Sequence, residues 1–90
     1  MKKPWKKIRK KLHEKPDLRV GKSGITEGIV AEARQLLKSK GIIKVKVLKN
    51  VAATKKEAKE LIEKLAKEAD AEIGKIIGKT AILYRKDLGE

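Results

Sequence analysis

The sequence predicts an α/β fold of the two-layer α+β kind, with elements in the order α-β-α-β-α-β-β about a four-stranded mixed sheet. Three observations predict it. Residues 29–37 and 58–69 each repeat apolar side chains at helical spacing. Residues 42–48, IIKVKVL, alternate as a strand does when one side is buried. Residues 71–77 and 80–85 read as two further strands, joined at Gly78-Lys79 by a two-residue turn with glycine where a positive φ is needed.

Each element has local signals of its own. Pro4 suits a helix start, and Trp5, Ile8 and Leu12 follow on one stripe, so a short helix is predicted over about 4–14, closed by Pro16. Trp5 is expected to pack that helix on the sheet. Leu18 to Val20 is a brief strand ending at Gly21. Thr26 is a predicted N-cap with Glu27 well placed on the helix dipole, and Ile29, Val30, Ala33, Leu36 and Leu37 carry the helix to Gly41. In the next strand Ile43, Val45 and Val47 share the buried face and Lys44 and Lys46 the other. Thr54-Lys55-Lys56-Glu57 is a capping box, after which Ala58, Leu61, Ile62, Leu65, Ala66 and Ala69 carry a third helix to Asp70. Two β-α-β crossovers followed by a hairpin put the long helices on one sheet face. The opposite face, with Lys44, Lys46 and Arg19, is left open or partly covered by the first helix.

Ninety residues make one domain over 1–90, and such a chain buries about 60–65% of the surface its unfolded form exposes, too little for a large internal pocket. With 25 Lys+Arg against 12 Asp+Glu and a net charge of +13, the expected partner is a polyanion, nucleic acid ahead of an anionic membrane. Cysteine is absent, which excludes disulfides and thiolate chemistry. No apolar run approaches a membrane span and no signal peptide is visible, so a cytoplasmic protein is expected. Residues 1–24 hold ten Lys/Arg against Glu14 and Asp17, a local net of +8. Five lysines in residues 55–70 meet five acids, the pattern of a solvated helix face.

The motif of interest is RVGKSGIT at 19–26. A phosphate-binding P-loop is excluded, because Pro16 and Ile73 stand where the required glycines would precede Gly21-Lys22-Ser23 and Gly78-Lys79-Thr80. Gly21-Lys22-Ser23-Gly24 joins a strand end to a helix N-terminus, where unpaired N–H groups collect. Glycines admit a phosphate closely, Lys22 adds charge and Ser23 a hydroxyl, as in the GxxG loop with which KH domains clamp a single strand. The expected binding residues are Gly21, Lys22, Ser23, Gly24, Thr26, Lys6, Arg9, Lys10, Arg19, Lys44 and Lys46.

Val20 to Gly28, the strand IKVKV at 43–47 and the ending IGKTAILYR at 77–85 resemble the YhbY/CRM domain, named for chloroplast RNA splicing and ribosome maturation. The resemblance runs from about Trp5 to Arg85. It implies a fold like the C-terminal domain of translation initiation factor three and RNA binding through the GxxG loop and nearby basic residues. It also implies, for a stand-alone member, an association with precursors of the large ribosomal subunit.

Other readings find less support. His13 has no acid-base or metal constellation around it, so no enzyme, cofactor, metal or small-molecule substrate is expected. Trp5 and Tyr84 are too few aromatics for a stacking platform of the RRM kind. The alternative is a chromatin-type DNA binder of the Alba kind. A lipid-surface helix needs more apolar area than Trp5, Ile8 and Leu12 supply. A monomer is expected.

Overall fold

The computed structural model describes residues 3–48 and 54–88. Lys2, counted in the basic N-terminal segment, lies outside them. The elements are α1 (Trp5–Leu12), β1 (Leu18–Val20), α2 (Glu27–Lys40), β2 (Ile42–Val47), α3 (Lys55–Glu68), β3 (Ala71–Ile77) and β4 (Thr80–Arg85), with a closing 3-10 turn (Lys86–Leu88). The caps are those the sequence indicates. Thr26 and Thr54 accept the Ile29 and Glu57 N–H groups at 3.2 and 3.1 Å, and Gly41, at φ +83°, ends α2 by donating to Leu37 O. Gly78, at φ +59°, supplies the positive φ of the β3–β4 hairpin.

The sheet order is β1-β2-β4-β3. β1 pairs parallel with β2, whereas β4 runs against both β2 and β3. β2 and β3 therefore point the same way with β4 inserted between them, so the second crossover is split by the strand that follows it.

Side-chain alternation divides the core between the two sheet faces. One face sends Leu18, Val20, Ile43, Val45, Val47, Ala81 and Leu83 against Ala33 and Leu37 of α2 and Ala58, Ile62 and Leu65 of α3. Each large apolar side chain buried there contributes about 1.5–3 kcal/mol. The other face carries a smaller cluster in which Ile8 of α1 packs on Ile82 and Tyr84. Ile8 fits because Gly74 has no side chain: a Cβ there would stand 2.8 Å from Ile8 Cδ1. The buried Tyr84 serves packing.

Trp5 departs from expectation. It is 46% exposed, with the Lys3 ammonium 5.6 Å from its ring centroid. An eight-residue helix has little more than two turns, and the one that bears Ile8 and Leu12 reaches the sheet.

Lys11 is the other correction. It belongs to the basic stretch that suggested a polyanion site, yet it is a buried cation, 2.9 Å from Asp17 and 3.1 Å from Glu14. Three residues after Ile8 it returns to the inward side of α1, where a lysine persists only if paired. Asp17 also accepts from Lys40 Nζ at 2.7 Å and from the Lys44 N–H at 2.9 Å. One carboxylate thus ties together α1, α2 and β2. Burial opposes its ionisation, and these hydrogen bonds outweigh that to hold its pKa below the ordinary value.

Candidate nucleic-acid interface

The strand-to-helix turn is built by Gly24. Its N–H donates to Gly21 O at 2.9 Å, and its φ of +67° turns the chain into α2. Lys22 and Ser23 stand exposed at the tip. A Cβ on either glycine would meet no atom within 4 Å, so the backbone of both faces open space. The Thr26 oxygen serves one first-turn amide, and the others of that turn have no intrahelical partner. Donors, partial dipole charge and Lys22 therefore converge at the end of β1. On its α2 side the hollow beside this turn, about 370 Å³, is bordered by Glu32. That carboxylate makes the α2 side of the turn less favourable to an anion than the sheet side.

On that side the register assembles a row. Arg19 pairs with Lys46, Lys46 with Thr80, and Thr80 with Ile77, one residue from each of the four strands. All four lie on the α1 face of the sheet near the carboxyl ends of β1, β2 and β3. Arg19, Lys46 and Ile77 are exposed and Thr80 is half-buried. Two residues back, Lys44 shares the face, but its ammonium donates to Leu12 O and Glu14 O, both at 2.8 Å, closing the end of α1. Arg9 joins Lys44 and Thr80 around a cleft of about 440 Å³, lined also by Leu12, His13 and Ile77.

The expected binding residues thus separate into groups. Gly21, Lys22, Ser23, Gly24, Arg19 and Lys46 share one end of the sheet, with Arg9 beside them. Thr26 and Lys44 have structural duties, as helix cap and as helix closure. Lys6 and Lys10, two residues either side of Ile8, are exposed on the side of α1 away from the sheet, outside that group. Thr80 and Ile77 belong to the IGKTAILYR ending but were not among the expected binding residues. The alternation of β4 places them there only once strand order is known, and neither is charged.

Such a chain defines a class: a small basic α+β protein that presents a glycine-bracketed turn and a cationic strand row at one end of a mixed sheet. It belongs to the CRS1 / YhbY (CRM) domain family, whose sequence model matches residues 2–85. A probable RNA-binding protein of Pseudomonas aeruginosa is 35% identical over 75 residues, covering 83% of this chain and 69% of that one. A probable RNA-binding protein of Methanocaldococcus jannaschii is 40% identical over 79 residues, 87% of this chain; the match spans 58% of that longer relative. The solution structure of a hypothetical Staphylococcus aureus protein, a candidate RNA binder, superimposes with a TM-score of 0.73 at 28% identity, covering 96% of this chain and 90% of that one.

Proposed function

We propose that this protein binds RNA, holding the sugar-phosphate backbone at the Gly21–Gly24 turn and leading it over Arg19 and Lys46. The observation that carries this reading is the coincidence of an open, donor-rich turn at a helix N-terminus with a registered pair of exposed cations at the same sheet end. Names of relatives from bacteria and an archaeon favour RNA over DNA. The finer reading is a cytoplasmic, non-enzymatic monomer that accompanies ribosomal RNA or pre-ribosomal particles during assembly of the large subunit.

The test is equilibrium binding of structured RNA and of duplex DNA of matched length and salt. RNA is expected to bind more tightly, and Lys22→Ala to weaken it by about 1 kcal/mol while reducing the salt slope by about one phosphate's worth. Equal affinity for the duplex would favour the chromatin-type reading. Crosslinking followed by sequencing in the source cells checks the ribosomal assignment; a random transcript set would overturn it.

A further inference from the structure

A second cluster of cations lies along the opposite edge of the sheet. β3 is an edge strand, and beside it lies a groove of about 570 Å³ into which Lys3, Lys55, Lys56, Lys59 and Lys75 converge. Among the described residues that line it there is no carboxylate. Lys3 is held over it by a bond from its ammonium to Gly74 O at 3.2 Å.

Two ordinary explanations fall short. Lysine on an edge strand guards against edge-to-edge pairing, and that accounts for Lys75. It does not account for Lys55 and Lys56, the first two residues of α3, where a cation opposes the helix dipole and is locally unfavourable. Nor is α3 an evenly mixed solvated face, as its composition suggests. Lys55, Lys56 and Lys59 gather at one end on the groove side, whereas Glu57 and Glu60 line a different hollow with Lys64. A local rule broken in a cluster of like charge points to a use for that cluster.

We infer that the groove takes the phosphodiester backbone of the same RNA after it has crossed the sheet; this rests on the RNA-binding reading above. The row Arg19–Lys46–Thr80–Ile77 links the two edges over three strand spacings, about 14 Å. Its last member, Ile77, adjoins Gly78 in the wall of the lysine groove. The backbone N–H groups on the unpaired side of β3 add neutral donors. The interface is then a continuous path with the glycine turn at one end and the lysine groove at the other, and its affinity depends on strand length.

The experiment measures binding of oligouridylates of increasing length by the full chain and by the triple variant Lys55→Gln, Lys56→Gln, Lys75→Gln, with the melting temperature of both. For the unaltered protein, affinity and salt slope should rise with length until both ends are engaged. The variant should match it on the shortest oligomers that bind, fall at least about tenfold behind on long ones, and show a salt slope lower by about 2 for three lost phosphate contacts. Its melting temperature should be equal or higher, since two cations leave a helix N-terminus. A variant that tracks the unaltered protein at every length overturns the groove and leaves the turn site standing. Loss of short-oligomer binding in the variant overturns it too, and absence of RNA binding by the unaltered protein overturns both readings. If polyglutamate binds the unaltered protein and not the variant while long oligouridylates bind both alike, the groove belongs to an acidic protein instead.

Discussion

Gly21 and Gly24 differ in what a methyl group would do. Both face open space, but Gly24 alone of the pair has a left-handed φ, +67°. Gly24→Ala should therefore cost about 1 kcal/mol of stability through backbone strain. Gly21→Ala should be neutral or slightly stabilising, because an alanine narrows the unfolded ensemble where the native φ suits it. If the turn is a clamp, both variants weaken RNA binding, since the methyl occupies space that the backbone of the RNA would enter. Gly21→Ala is the cleaner test: thermal melts unchanged with binding reduced support the clamp, and unchanged binding makes the glycines turn formers only. Sequence alone makes a positive φ plausible at either glycine, and only the Gly24–Gly21 hydrogen bond decides which one turns the chain.

The strand order and the shortest helix show where local signals stop. The bounds of β1, β3 and β4 were legible because Gly21, Gly78 and the Asp70 turn punctuate them. The insertion of β4 between β2 and β3 was not, because pairing order is a tertiary choice with no local signal. Nor was the seating of α1. Its apolar stripe includes Trp5, but contact with the sheet depends on Ile8 filling the space above Gly74, a residue 66 positions away. Gly74→Val should drive α1 off the sheet, exposing Ile82 and Tyr84 and lowering stability by about 2–4 kcal/mol. Tyr84 fluorescence quenching by acrylamide, measured with Trp5→Leu to remove the indole signal, would report it; continued protection of Tyr84 would show that α1 is seated otherwise. Asp17 fixes the other end of α1. Its pKa is lowered on folding, so its contribution is complete above the unfolded value near 4. That contribution is lost as pH falls through the unfolded value toward the folded one. Asp17→Asn should be less stable at neutral pH by about 2–3 kcal/mol, because the buried Lys11 is left with only the more exposed Glu14 to pair with. It should also lose less stability than the unaltered protein between pH 5 and pH 2. Parallel acid limbs in urea titrations of the two would contradict the assignment.

Over the whole molecule the net charge of +13 is not one quantity but two. One set of cations closes helix ends from other elements. Lys44 caps the carbonyls of Leu12 and Glu14 after α1, Arg85 bonds Lys38 O at the end of α2 at 3.2 Å, and Arg34 bonds Glu68 O at the end of α3 at 2.7 Å. Each meets the negative end of a helix dipole, where a cation contributes about 0.3–1 kcal/mol. The other set, Lys22, Arg19 and Lys46 foremost, has no ion pair among the described residues and faces solvent at the proposed RNA path. Composition cannot separate the two, because a lysine counted in a basic segment carries no mark of what its ammonium touches. For that reason Lys11 was counted in the basic N-terminal segment and Lys44 among the expected binding residues.

The separation makes a crossed prediction. Removing a closing cation, as in Arg34→Ala or Arg85→Ala, should lower the melting temperature by about 4–8 °C per kcal/mol lost in a chain of this size. The dependence of RNA affinity on salt should stay as it was, because neither guanidinium releases counterions from phosphate. Removing an exposed one, as in Lys22→Ala or Lys46→Ala, should do the reverse. The melting temperature stays within about a degree, and the slope of log K against log salt becomes shallower by about 0.7 for each single-strand phosphate no longer neutralised. The double variant Lys22→Ala with Lys46→Ala should lose twice that slope, since the two sites touch different phosphates and add independently. Two measurements on the four single variants, a thermal melt and a salt titration, therefore sort each of these four cations into one set or the other. A closing variant that flattened the salt slope while still folded would place RNA against the helix ends, and the path over Arg19 and Lys46 would have to be abandoned.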